Sequence, residues 1–276
     1  MAYTLSFPSD RPLVTVTHPT TTAWVIEMHH GEDNRFTEAF VSNALMPALD
    51  AVERDWREGW RSARAAKDKE GGKGFLVITG KRNQNKFFSN GLDFDNLAKD
   101  PNFPINFFPL VMNPFYRRVL TFPIPTVAAI NGHCFAAAMI LSLCCDYRVM
   151  TDGSSRNAWV CMNEVHFGAG WPLAIAAVVR AKVSDARTHR KIALEGYRFT
   201  PQEAVEAGFI DHLVKGDSEA IIAKAMEVGD SASGMARMGA WGVIKRDLYR
   251  DVLEASARDI LQANVLSEDA AAKAKL

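Results

Sequence analysis

An excess of charge of either sign is missing from this sequence. Its 276 residues set 32 Lys and Arg against 32 Asp and Glu, and no block of like charge breaks the balance, so nothing supports wholesale binding to nucleic acid or to an anionic membrane. A long hydrophobic run is missing too. The longest, Cys134 to Cys145, is interrupted by Ser142 and falls short of the roughly 20 residues that a bilayer span requires, so membrane insertion is not expected. Cysteine is scarce: Cys134, Cys144, Cys145 and Cys161 share one apolar stretch. They have neither the paired CxxC spacing of a zinc site nor the spread of a disulfide framework, and read as reduced core thiols in a reducing compartment. The first residues lack a basic segment followed by an apolar one, so no secretory signal is expected. Fixed-period repeats are absent as well, which sets aside solenoid architectures.

What is present is an ordinary folded composition, 48% apolar and 23% charged, with enough chain for one large domain and an appendage. Two β-rich runs, Leu13 to Thr17 and Ala23 to Met28, flank a Pro/Thr turn and predict a hairpin. A helix follows, capped by Thr37, with Glu38 in its first turn and Val41, Leu45, Leu49 and Val52 at helical spacing. Residues 55–73 are charged and contain glycines, and read as including a solvated insertion before a strand at Phe75 to Thr79. A helix from about Pro109 to Leu120 is broken by Pro123-Ile124-Pro125, and Thr126 to Ile130 is a buried strand by composition. The turn Asn131-Gly132-His133 then leads into an apolar helix, Phe135 to Leu143, and a strand starting at Asp146. This alternation predicts repeated βα units with parallel strands, an α/β fold. After Pro172 the chain is mainly helical, and Ser233 to Gln262 carries Tyr249, Leu253, Ala257 and Ile260 at amphipathic spacing.

Two turns could carry chemistry. Phe88-Ser89-Asn90-Gly91-Leu92-Asp93 is a glycine bend that can expose backbone N–H groups to an anion or a polarised carbonyl, or simply connect two elements. Asn131 to Met139 starts a helix directly after a buried strand, and its free N–H groups could face developing negative charge, as those of any helix could. Histidines 29, 30 and 133 have no partner at metal-ligand spacing, so no metal site is expected. The tripeptide Ala274-Lys275-Leu276 differs from the peroxisomal Ser-Lys-Leu address by one small-for-small exchange.

The order and spacing of Phe88-Ser89-Asn90-Gly91-Leu92-Asp93, then Ile124 to His133, then Cys144-Cys145-Asp146-Tyr147-Arg148-Val149-Met150 resembles the crotonase superfamily of enoyl-CoA hydratases and isomerases. The resemblance runs from about Leu13 to Val214. It implies a crotonase-type ββα spiral core with an acyl-CoA site over residues 1–199, and a C-terminal helical oligomerisation region with a targeting tail over 200–276. It also implies an oxyanion hole made by the N–H groups of Leu92 and Ala137, with Ser89, Asn90, Gly91, Asp93 and Ala136 among the substrate-binding residues. Many relatives have a glycine run where this chain has Ala136-Ala137-Ala138. Hydratases in the superfamily use two glutamates; the first position is Ile140 here, and the second matches Glu164, in a segment similar to that of Δ3,Δ2-enoyl-CoA isomerases.

A single carboxylate suffices to move a double bond from C3 to C2, so the resemblance implies an isomerase with Glu164 as proton shuttle. Coenzyme A would arrive on the substrate, with no other cofactor. His166 is a candidate modulator of Glu164, since both would point to one face if the segment were extended. Lys81, Arg82 and Lys86 are candidates for coenzyme A phosphates, and Phe107, Met139, Phe167 and Trp171 for an acyl channel. The resemblance further implies a trimer or pair of trimers, a role in β-oxidation in peroxisomes, and an import receptor for the C-terminal tripeptide. Hydration or another enolate reaction on a specialised acyl-CoA, and a non-catalytic acyl-CoA-binding or assembly role, are the alternatives.

Overall fold

Two strands of the hairpin expected near the start, β2 (Val14–Thr20) and β3 (Ala23–Met28), pair antiparallel. A short strand not expected from the sequence, β1 (Thr4–Phe7), adds to the outer edge of β2. The computed structural model describes residues 3–84, 86–97, 99, 106–258 and 265–275. From β3 onward every pairing is parallel, through β4 (Phe75–Thr79), β6 (Thr126–Ile130), β8 (Tyr147–Thr151) and β10 (His212–Val214). Together they make a seven-stranded sheet in the order β1-β2-β3-β4-β6-β8-β10.

A second, three-stranded sheet, β5-β7-β9, is also parallel and is built from β5 (Phe87–Ser89), β7 (His133–Phe135) and β9 (Val160–Cys161). The chain therefore spirals. Each turn lays one strand in the large sheet, one in the small sheet, and then a helix: 113–120 after β5, 137–144 after β7 and 173–182 after β9. Every residue of β4 and β6 is buried, as expected of strands covered on both faces. On one face Phe75, Val77, Val127, Ala129 and Val149 pack under Ile221, Ile222, Ala225 and Val228 of the Ser218–Ser233 helix. Gly229 of that helix lies directly on the Phe75 ring, where a side chain would collide. On the other face Leu76, Ile78, Ala128, Ile130 and Met150 join the main core with the spiral's own helices.

Three expectations are corrected. Residues 55–65 are helical, because Met46–Ala65 continues through Val52, Trp56 and Trp60, whose four-residue spacing keeps an apolar stripe on the core; only residues 66–74 form the connection. The apolar helix begins at Ala137, after Phe135 has joined the small sheet. Residues 233–257 are broken into Gly234–Ala236, Trp241–Leu248 and Arg250–Ala257, because Gly239 at φ 73° and Tyr249 at ψ 26° leave helical geometry. Ile260 and Gln262 lie outside the described residues.

Asp146, directly after the Ala137–Cys144 helix, ties the C-terminal helices to this core. Its Oδ2 accepts from the Thr126 N–H (2.9 Å) and hydroxyl (3.0 Å), the Trp241 indole (3.1 Å) and Lys245 Nζ (2.9 Å), and both members of the ion pair are almost wholly buried. Asp146→Ala strands a buried cation and is expected to cost about 3–5 kcal/mol of unfolding free energy. Asp146→Leu combined with Lys245→Met removes both charges and should cost clearly less in urea denaturation; a double variant as unstable as the single one would locate the cost outside the ion pair.

Candidate active site

The turn after β5 is tied down by bonds that leave one of its N–H groups out. Ser89, fully buried, donates its hydroxyl to Asn34 O (2.7 Å) and accepts from the Gly91 N–H (3.2 Å). The Asn90 N–H reaches Asp33 O (2.8 Å), and the Asn90 amide donates to Asp33 Oδ2 (2.9 Å). Phe36 bonds on both sides of Leu92, donating to Gly91 O (2.7 Å) and accepting from the Asp93 N–H (3.1 Å). The Leu92 N–H therefore points away from this ladder and has no acceptor among the described residues.

A second unpaired N–H lies alongside. Ala136 donates to Cys161 O (2.7 Å) and turns the chain at φ 51°, ψ −121°, so the Ala137–Cys144 helix begins with the Ala137 N–H unpaired among the described residues. Gly91, at φ 81°, faces this start: a Cβ there would sit 2.8 Å from Phe135 O, 2.9 Å from Ala136 Cβ and 3.4 Å from Ala137 N. Only a glycine allows both the backbone conformation and the approach. Ala136 itself holds a positive φ with a side chain, a strained arrangement that the surrounding bonds impose.

Glu164 opens a 3-10 turn, Glu164–Phe167, three residues after β9, the strand whose Cys161 carbonyl holds Ala136. Gly168, left-handed at φ 72°, closes the turn. The Trp171 indole donates to Glu164 Oε2 at 3.4 Å. Burial pushes the Glu164 carboxyl above the ordinary carboxylate range, opposed by hydrogen bonds from backbone and from Trp171. Tyr116 connects the two parts: its buried hydroxyl donates to Ala137 O (3.1 Å), and it feels the charge of Glu164, which adds to the upward push that burial gives the phenol. Ile140 is fully buried and brings no carboxylate.

The remaining candidates sort by place. In a 3-10 turn successive side chains rotate by about a third of a circle, so Glu164 and Phe167 share a face and His166 does not. His166 Nε2 lies 3.3 Å from Gly196 O, and Trp171 takes the place beside Glu164 that the extended reading gave to His166. Met139 and Phe107 are buried core, whereas Phe167 and Trp171 are partly open. Arg82 is engaged by Glu27 and Glu219, while Lys81 and Lys86 line a cleft of ~820 Å³ with Arg35, Glu32, Asp33, Gln84, Phe87 and Asn90. His133 is stacked between Phe135 and Trp159, His30 on Phe40, and His29 meets Thr15. The four thiols are free and buried, and burial pushes Cys134 and Cys145 up to about 12. Tyr116 and the Asp33–Asn34 support were missed in the sequence. Both belong to segments with no motif of their own, and only the fold brings them to the site.

The family model described as enoyl-CoA hydratase/isomerase matches residues 63–238. The chain is similar to the peroxisomal enoyl-CoA delta isomerase 2 of Arabidopsis thaliana, 29% identical over 186 residues that cover 65% of this chain and 75% of the relative. An enoyl-CoA hydratase structure from Mycobacterium ulcerans is 25% identical with a TM-score of 0.71, covering 88% of this chain and 94% of that one. An apo enoyl-CoA isomerase structure from Mycobacterium tuberculosis gives 25% identity and a TM-score of 0.69 over the same shares.

The raised Glu164 carboxyl has a consequence for stability that does not depend on any reaction. An unfolded glutamate titrates near ~4.3. A folded value above this means that the residue's contribution to folding is in place below the unfolded value and is lost as pH rises through the folded one. Glu164→Gln, which cannot ionise, is expected to match the parent's stability at about pH 4 and to exceed it at neutral pH. Chemical denaturation across this range checks it, and a pH-independent difference would contradict it.

Proposed function

Because the chain belongs to the enoyl-CoA hydratase/isomerase family, we propose that it is a Δ3,Δ2-enoyl-CoA isomerase. The observation that carries this reading is one half-buried carboxylate, Glu164, at a site whose other candidate position is the buried Ile140. With the thioester oxygen between the Leu92 and Ala137 N–H groups, negative charge developing on that oxygen meets two fixed donors that need no reorganisation. Glu164 takes a proton from C2, the electron pair passes into a dienolate, and the same carboxyl returns the proton to C4. The double bond moves from C3 to C2, and Glu164 ends ionised as it began. The elevated carboxyl value suits this role, since a base nearer neutrality also gives its proton back more readily.

The name of the Arabidopsis relative supports the isomerase reading and a peroxisomal site of action. Leu276, the last residue of the candidate address, lies outside the described residues. In the cleft beside Asn90, Arg35 is engaged by Asp33, and Lys81 and Lys86 supply the cations that suit the phosphates of a coenzyme A carrier. Hydration is disfavoured by Ile140, since water must be activated by one group while another protonates carbon. No helix among the described residues is long and apolar enough to cross a membrane, and no group of His, Cys, Asp or Glu among them could hold a metal ion.

The reading includes a homotrimer, supported by Val243, Ile244 and Leu248 on one helix and Met235 and Met238 just before it, all more than half exposed. That much apolar surface is what a second copy would cover. Sedimentation is expected to give three times the 30.5 kDa chain mass, and Val243→Glu with Ile244→Glu is expected to release smaller species; a parent that sediments as the single chain at micromolar concentration would overturn the trimer.

Activity is tested with a panel of 3-enoyl- and 2-enoyl-CoA thioesters. The 3-enoyl thioesters are expected to convert without change of mass, whereas hydration adds water. Glu164→Gln is expected to lower turnover by about 10²–10⁴ while leaving thioester affinity largely intact; turnover within a few-fold of the parent would remove Glu164 from the mechanism.

A further inference from the structure

Two large apolar side chains stand partly open to solvent beside the candidate site and touch each other. Phe94 is 39% exposed and Phe167 48% exposed, and their ring centroids are 5.2 Å apart with planes inclined at 54°. Neither ring has an arbitrary address. Phe94 lies two residues past Leu92, at the start of the short Phe94–Leu97 helix. Phe167 lies three past Glu164 in the 3-10 turn, where side chains three apart eclipse, so it shares the face of the turn that carries Glu164. The other two side chains of the turn, Val165 and His166, are directed elsewhere: a Cβ on Gly196 would collide with both. The Phe94–Phe167 contact therefore bridges, at the surface, the loop that supplies the Leu92 N–H and the turn that supplies Glu164.

We propose that Phe94 and Phe167 form an aromatic clasp over the acyl chain, and that this pair makes the site select thioesters whose chain extends beyond the reacting carbons. The inference rests on the acyl-thioester reading above and deepens it to the choice among substrates. Rings buried against each other alone would need no exposed faces, whereas rings left partly wet at the edge of a site gain when an apolar chain covers them. A short acyl group that ends at the oxyanion donors leaves both faces wet and gains nothing. The pair also joins two segments that are separate in the sequence, so closing the clasp holds the donor loop and the base's turn together around a long chain.

The test uses saturated, unreactive thioesters, butanoyl-CoA and dodecanoyl-CoA, titrated calorimetrically into the full chain. The parent is expected to bind dodecanoyl-CoA at least about tenfold more tightly than butanoyl-CoA. Phe94→Ala and Phe167→Ala are each expected to lose most of this ratio while keeping butanoyl-CoA affinity. The double variant should be little worse than either single one, since each truncation already opens the clasp. Phe167→Leu, which keeps apolar bulk at the same place, should recover part of the ratio and controls for folding. Equal loss for both thioesters would make the residues merely structural and overturn the proposal, as would an unchanged ratio in the alanine variants or a parent indifferent to chain length. A parent that binds neither thioester would overturn the acyl-CoA reading itself and the clasp with it.

Discussion

An unpaired peptide N–H in a closed setting costs about 1–3 kcal/mol, and two at one place, on Leu92 and Ala137, have no acceptor among the described residues. Much of the surrounding architecture serves to keep them unpaired. Around Leu92 the neighbouring polar groups are consumed by Asp33, Asn34 and Phe36, so the loop cannot relax to satisfy the remaining donor. Around Ala137 the same is done by Cys161, which takes the N–H of Ala136 and fixes the angle at which the helix begins. The small parallel sheet holds both: β5 leads into the Leu92 loop, β7 leads into Ala136, and β9 supplies the Cys161 carbonyl and then Glu164. Three adjacent parallel strands thus deliver two donors and one carboxylate from their ends.

That delivery explains which features were legible in the sequence. β4 and β6 could be read because strands buried on both faces are nearly all apolar, and the helix at 113–120 because two prolines follow it. The two glycine-containing turns could be read as bends, but their meeting could not, since the register of the short β5-β7-β9 sheet leaves no periodic trace in three strands of two or three residues. Resemblance to a family supplied that pairing. β1 escaped because Thr4-Leu5-Ser6-Phe7, although it alternates polar and apolar, is only four residues long and mostly open to solvent. The His166 assignment failed for a local reason: an extended backbone puts residues two apart on one face, whereas a 3-10 turn rotates them about a third of a circle apart, and nothing in Asn163-Glu164-Val165-His166-Phe167 separates the two conformations.

Ala136 shows how a site can depart from a family's glycine pattern while keeping its backbone. The residue carries a methyl at φ 51°, where glycine would be unstrained. The methyl is accommodated because Gly91 opposite has none, leaving room that a side chain on both residues would exhaust. The glycine demanded by close approach therefore sits on the Leu92 loop, and the helix start pays in backbone strain for the added contact.

Stability and site geometry meet in one helix. At its N-terminal end, Ala137–Cys144 presents the unpaired donor and receives the Tyr116 hydroxyl on Ala137 O. At its other end the Cys145 carbonyl accepts from Arg148 (3.0 Å) and Lys182 (3.2 Å), and Asp146 gathers Thr126, Trp241 and Lys245. Cations at a helix C-terminus oppose the partial negative charge there, so these contacts hold the helix along its own axis. Lys182 closes the Leu173–Lys182 helix, which starts two residues after Trp171, the partner of Glu164. The second helix consequently runs from the carboxylate to the far end of the first. An axial slip of either would shift Glu164 relative to the Ala137 N–H, and the buried cations and Asp146 resist that slip at the end opposite the candidate site.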